Sequence, residues 1–301
     1  MQVATPPKRK VNTMKPTSRS FIHKTIASGL IAMASFALTP RTTAQSLSTE
    51  GVVELANSTI EYFSQGKGEA IVLLPGGTLT VGYLDAMAAA LAAQGYRVVG
   101  INFRGSGKST GPSEGVTLQT NADDVAGVIK ALNISPVQLA GNDFGNRVAR
   151  MVAASHPELL RSVILLAAGG KIQPKPEALH ALEVIFGATS TEAEVLAEMK
   201  YLVANQADAA RVWKIMNASR DPKAGPIEEA AARATPLEAW WAPPGNTKYL
   251  ILQGADDQIA PPENGVVLQK ETRRPRDFGE RSRGSASFAY RATGGRGITH
   301  P

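Results

Sequence analysis

Gly141-Asn142-Asp143-Phe144-Gly145 is the segment of this chain best suited to covalent chemistry. It lies between an apolar run beginning at Val137 and a helical run beginning at Phe144. A strand that turns at once into a helix leaves room only for glycine at the flanking positions, and the central side chain then projects above the sheet. The helix N-terminus beneath it favours a negative charge. A carboxylate is already ionised at neutral pH, so Asp143 can displace a leaving group without a base. Upstream, Pro75-Gly76-Gly77 closes another apolar run, and the N–H of Gly77 with that of Phe144 could hold a developing negative charge. Downstream, Asp257 follows Gly254 at a Gly-x-x-Asp spacing. For Asp143 alone, the plain alternative is a capping aspartate in a Gly-rich turn.

The surrounding pattern predicts the elements that would carry these residues. Thr59–Phe63, Ala70–Leu74, Tyr96–Asn102, Val137–Ala140, Ser162–Ala167 and Tyr249–Gln253 read as strands. Val81–Gln94, Leu118–Leu132 and Phe144–Ser155 read as helices between them, which implies a mostly parallel sheet covered on both faces. From Lys171 to Asn246 the strand signal vanishes. Thr191 and Glu194 make a capping box there, ahead of a helix with Val195, Met199 and Leu202 on one face. The stretch 171–246 is too long for a loop and is predicted to be a helical cap.

These features together resemble the α/β-hydrolase superfamily over roughly residues 50–270. The resemblance implies a doubly wound α/β sheet with the cap inserted after the sixth strand. An aspartate at the elbow looks like the branch of haloalkane and haloacetate dehalogenases and epoxide hydrolases. By that resemblance Asp143 is the nucleophile, Asp257 the orienting acid, and the substrate a small molecule cleaved through an aspartyl ester. Gly76, Gly77 and Phe144 supply the oxyanion site, and Arg147, four places after the nucleophile, matches one of two substrate-binding arginines of haloacetate dehalogenases. The departures leave the substrate class open. Asn142 and Phe144 stand where the branch usually has His and often Trp, and the cap has Tyr201 but no second tyrosine.

The resemblance also implies a histidine after one more strand, about thirty residues beyond Asp257, to activate water against the ester. Of the four histidines, His23 lies near the N-terminus, His156 precedes Pro157, His180 sits in the cap, and only His300 follows Asp257. Residues 46–270 hold ten Lys and eight Arg, whereas 271–301 hold seven Arg and no Lys. No apolar strand or amphipathic helix is visible there. The change reads as a shifted reading frame, which puts turnover in question; the rival is a genuine extension carrying His300 to the site. A non-catalytic, ligand-binding relative is the alternative from another functional class.

Other candidates carry less. Gly107-Lys108-Ser109 invites a phosphate-loop reading, but the first glycine of that motif would fall at Asn102. Asp123 and Asp124 read as solvating the start of their helix. Trp213, Trp240 and Trp241 read as cap core.

The net charge of +6 is a property of the ends. Residues 1–45 carry seven Lys/Arg and no acid, and 271–301 a surplus of four positive charges, so the body is acidic and gives no nucleic-acid footprint. The absence of cysteine excludes disulfides and thiolate metal sites. Basic residues from Lys8 to Lys24, an apolar run Thr25–Thr39 and the small residues Thr42-Thr43-Ala44 follow the plan of a secretory signal. The apolar run is shorter than the ~20 residues of a membrane span, so export without a stable span is expected. The organisation expected is therefore a signal over 1–44, a core over 45–170 and 247–271, a cap over 171–246 and an aberrant tail over 272–301. Neither cofactor nor metal is called for.

Overall fold

A computed structural model describes residues 49–243, 245–272 and, as backbone, 288–292. Its strands are β1 (Thr49–Glu54), β2 (Thr59–Gln65), β3 (Ala70–Leu74), β4 (Arg97–Ile101), β5 (Val137–Asn142), β6 (Leu160–Leu166), β7 (Lys248–Gly254) and β8 (Phe288–Ala292). Between β3 and β7 run α1 (Asp85–Ala93), α2 (Leu118–Ala131), α3 (Phe144–Ser155), α4 (Pro176–Phe186), α5 (Glu192–Glu198), α6 (Ala209–Ala218), α7 (Ala224–Ala234) and α8 (Leu237–Trp240), and α9 (Pro262–Thr272) follows β7. The described strands form one eight-stranded sheet in the order β1-β2-β4-β3-β5-β6-β7-β8. β2 runs antiparallel to β1 and β4, and every other pairing is parallel.

β3 shows why the sheet is covered on both faces. All five of its residues are apolar and buried. Because side chains alternate across a strand, Ile71 and Leu73 join one core with Leu84, Ala88 and Val98 on the α1 side. Val72 and Leu74 join the larger core formed with α2 and α3. Sequence reading missed β1, whose alternation is blurred by Glu50, Gly51 and Glu54. It also expected no strand after Thr272. That is corrected: Phe288–Ala292 pairs in parallel with β7, from Leu250↔Phe288 to Gly254↔Ala292. Phe288 and Tyr290 favour an extended chain, but the Arg- and Gly-rich flanks hide so short a run.

The helical stretch between β6 and β7 divides into two parts. Ile185, Val195, Met199 and Trp213, from α4 to α6, make a separate cluster. The capping box forms there, with Glu194 N donating to Thr191 Oγ1 at 3.3 Å and Thr191 N to Glu194 Oε2 at 2.8 Å. Ala231 of α7, Trp240 of α8 and Trp241 just after it instead pack into the main core. The second half of this stretch is thus pinned to the sheet.

Asp124 is a further correction. It does not solvate its helix but is 5% exposed, and it grips Arg104 through two hydrogen bonds of 2.9 Å while accepting one from Ser58 Oγ at 2.7 Å. Asp124 shares a face with Asn121, Val125 and Val128, all buried, which brings it inward. Asp123, one residue earlier, is exposed and meets His156. Removing one partner of a buried pair leaves the other charge uncompensated. Asp124→Ala is therefore expected to cost about 3–5 kcal/mol, read as a lower urea midpoint. Asp123→Ala should leave that midpoint nearly unchanged.

Candidate active site

The elbow owes its shape to the two glycines. A Cβ on Gly141 would lie 2.3 Å from the carbonyl oxygen of Gly145, and one on Gly145 would lie 2.5 Å from that of Pro75. Chain packed so closely holds Asp143 at φ 46°, ψ −111°, a conformation that non-glycine residues rarely adopt. Gly145 N donates to Pro75 O at 2.9 Å and Asn146 N to Asp143 O at 3.1 Å, so the loop after β3 and the start of α3 support the turn from both sides. Asn146 Nδ2 adds a bond of 2.8 Å to Ala167 O, beyond the end of β6.

Asp143 itself is exposed, and its Oδ2 accepts the N–H of Gly77 at 3.0 Å. No described residue donates to Oδ1. The N–H of Gly76 is engaged elsewhere: it donates at 2.9 Å to Tyr83 Oη, which in turn donates at 2.7 Å to Asn142 Oδ1. Of the two glycines, then, only Gly77 addresses Asp143. Phe144 is buried, and its ring stacks edge-on against Phe103 with centroids 5.3 Å apart. Arg147 lies one turn along α3, with its guanidinium 5.8 Å from the Trp240 ring and no described hydrogen bond to Asp143.

Asp257 stands just beyond β7. Its Oδ1 accepts from Ala260 N at 2.7 Å and Ile259 N at 3.0 Å, which fixes its direction. Burial raises its pKa above the ordinary aspartate value; those two N–H groups oppose the rise, and the charge of Asp143 adds to it. That interaction brings the two acids into one electrostatic site at the carboxyl ends of β5 and β7.

Neither described histidine joins them. His156 caps the far end of the twelve-residue α3, roughly 20 Å along the axis from Asp143 at about 1.5 Å per residue, and bonds to Asp123 at 2.7 Å. His180 is exposed, 3.6 Å from Glu183. His300 lies outside the described residues, as do the segments expected to be the signal and most of the tail.

Sequence reading missed two neighbours of Asp143. One is Tyr83. The other is Glu228 of α7, 4% exposed, whose Oε2 accepts the N–H of Thr78 at 2.7 Å. Burial first, then the charges of Asp143 and Asp221, raise its carboxyl to about 7 against the opposing pull of that N–H. Missed as well was Arg150, fully buried, 4.5 Å from the Trp240 ring and 5.1 Å from that of Trp241, with Nη2 donating to Gly169 O at 2.7 Å. Desolvation lowers its pKa to about 9. Trp240 and Trp241 are thus core residues around a buried cation, as Trp213 is core within the cap. The N–H groups of Gly107 and Lys108 donate to Asp221 and Glu61, so the would-be phosphate loop is filled by the protein's own carboxylates. A cavity of about 380 Å³ between Glu61, Asp85 and Asn102 lies apart from Asp143. Among the described residues no acidic or histidine cluster could hold a metal ion, and no helix is long and apolar enough to cross a membrane.

The family described as alpha/beta hydrolase fold matches residues 69–200, the segment that contains the loop after β3 and the elbow. The chain is 29% identical to a 2-hydroxy-6-oxo-6-phenylhexa-2,4-dienoate hydrolase of Burkholderia cepacia, over 71% of this chain and 80% of that one. An esterase from Exiguobacterium antarcticum superposes with a TM-score of 0.61 at 18% identity, covering 81% of this chain and 90% of its own. A meta-cleavage product hydrolase from Pseudomonas fluorescens gives 0.60 at 19%, covering 73% and 85%. The chain has the α/β-hydrolase fold. The relatives from Burkholderia cepacia and Pseudomonas sp. are both named as hydrolases.

Proposed function

We propose that this protein hydrolyses a small organic substrate through an ester formed on Asp143. One observation carries the reading. The Gly77 N–H is spent on Oδ2 of Asp143, which leaves Oδ1 as the oxygen free to attack an electrophilic carbon. Water would then attack the ester carbonyl, whose oxygen, the former Oδ2, already sits on its donor. Phe144 N–H is the proposed second donor, Asp257 the acid that orients a base, and Arg147 a contact for an anionic substrate group. The relative from Burkholderia cepacia is named for a carboxylate substrate, in keeping with that last role.

The test is an acid quench during turnover of a terminal epoxide such as 1,2-epoxybutane. The expected result is one added epoxide mass on the peptide that ends at Arg147, absent in Asp143→Asn. A second reading, a ligand-binding relative without turnover, is favoured by the distance of both described histidines from Asp143. It requires that compounds bind without ever labelling Asp143.

Export is also proposed, with cleavage near Gln45, from the charged, apolar and small-residue progression of the first 44 residues. Intact-mass measurement of the exported protein should give a chain starting near Gln45. A chain in that fraction still starting at Met1 would contradict it. The altered-frame reading of 272–301 is tested by the nucleotide sequence of those codons.

A further inference from the structure

We infer that Glu228 is the acid–base partner of Asp143, doing for the ester pathway what a histidine would otherwise do. The inference rests on the proposed ester at Asp143. Its basis is a shared backbone scaffold: two consecutive N–H groups, of Gly77 and Thr78, hold the two carboxyls, Oδ2 of Asp143 at 3.0 Å and Oε2 of Glu228 at 2.7 Å. Both oxygens lie within 3.5 Å of the point where a Cβ on Gly77 would stand, so they are at most twice that distance apart. Thr78 itself is held at φ 61°, a conformation that non-glycine residues seldom adopt.

Glu228 is positioned rather than merely nearby. The chain leading into α7 is stitched to the oxyanion loop, with Asp221 N donating to Thr78 O and Thr80 N to Ser219 O, both at 2.7 Å. Below, Ala224 and Ala231 are fully buried, and Thr235 Oγ1 accepts the N–H of Leu118 at 2.9 Å. One oxygen of Glu228 is occupied by Thr78. The other, Oε1, is buried with no hydrogen-bond partner among the described residues. A buried polar atom without a partner is costly, and a carboxyl needed only to hold one N–H gains nothing from ionisability. The ionisable groups that act on it are Asp143, Asp221 and Tyr83, and among the described residues no cation forms an ion pair with it. A carboxyl in such surroundings stays protonated when its neighbour is ionised, and two carboxyls held apart in this way divide the work of nucleophile and acid.

The steps balance for an epoxide. Oδ1 of Asp143 bonds to carbon, the carbon–oxygen bond of the ring breaks, and the Glu228 proton passes to the departing oxygen. Glu228, now ionised, takes a proton from water as the resulting hydroxide attacks Cγ of Asp143. Collapse of the tetrahedral species expels the alkoxide, which receives that proton. The Asp143 carboxylic acid then returns its proton to Glu228. The net reaction is epoxide plus water to diol.

The experiment compares wild type with Glu228→Gln on 1,2-epoxybutane and 1-bromobutane, following labelling of Asp143 and loss of the label by mass. Glutamine keeps the acceptor for Thr78 but can neither give nor take the proton. Bromide leaves without a proton, so its labelling rate should stay within about twofold, while epoxide labelling and the hydrolysis of either ester should slow by roughly 10²–10⁴-fold. In wild type, labelling by epoxide should fall as pH passes about 7, and ester hydrolysis should rise with pH over a lower range, because esterified Asp143 no longer adds its charge to the surroundings of Glu228. Asp257 also titrates upward of its ordinary range, so the limbs are assigned to Glu228 by their loss in the glutamine variant. Wild-type ester hydrolysis that does not change with pH overturns the inference even if that variant fails to fold. A glutamine variant that opens the epoxide and clears the ester at wild-type rates overturns the role of Glu228 alone. No label on Asp143 in either protein, with either reagent, overturns the ester pathway and this role with it.

Discussion

Replacing Asp143 with asparagine should lower hydrolysis by roughly 10⁴–10⁶-fold, the range seen when one member of a covalent catalytic unit is removed. The change is close to isosteric. The amide oxygen can still accept the Gly77 N–H that now holds Oδ2 at 3.0 Å, and asparagine tolerates positive φ better than most residues. What disappears is the anionic oxygen able to bond to carbon. Stability should be unchanged or slightly higher, because two neighbouring acids, Asp257 and Glu228, lose a like charge. Steady-state rates and thermal melts of the same preparation test both halves. A variant that keeps more than about a tenth of the activity would place the nucleophile elsewhere, since the loss would then be under 1.4 kcal/mol.

Gly145→Ala should have the largest effect on the fold. The added methyl would stand 2.5 Å from Pro75 O and 2.6 Å from Leu74 O, both backbone atoms at the end of β3. Neither can move without pulling the loop after β3 off its register with the elbow. A loss above about 4 kcal/mol is expected, enough to leave a marginal domain largely unfolded. Gly95→Ala is the matching control. It also has positive φ, 89°, but its Cβ would meet nothing within 4 Å. Only the conformational penalty remains there, about 1–2 kcal/mol. Urea midpoints of the two variants separate crowding from backbone strain. Equal midpoints would mean that the elbow is looser than its geometry implies.

How far the site can be read from sequence follows from how local its determinants are. The elbow is legible because its constraint is written in adjacent residues: Gly141 and Gly145 are glycine because their own turn crowds them. β3 is legible because both of its faces are covered, so every side chain is apolar. The capping box at Thr191 needs only the residue three places on. Glu228 was invisible for the opposite reason. Its partner, Thr78, lies 150 residues away, and in its own helix it reads as one more exposed glutamate beside Glu229. Asp124 and Arg150 were missed similarly, since a buried charge looks like a solvated one until its partner arrives from another element. Arg150 did leave one signal: it lies four residues after Asn146, on the same face, in a helix whose Val148, Met151 and Val152 are buried as well. Resemblance points to a base only where a histidine follows Asp257, and Glu228 precedes it in the chain.

The ester on Asp143 is tested most directly by a single turnover in H₂¹⁸O with enzyme in excess over 1,2-epoxybutane. Water that attacks the ester carbonyl leaves its oxygen on the enzyme, so the peptide ending at Arg147 should gain one ¹⁸O, located at Asp143 by fragmentation, while the product carries only ¹⁶O. Product containing ¹⁸O after that first turnover, with an unlabelled Asp143, would show that water attacks the substrate itself and would contradict the account.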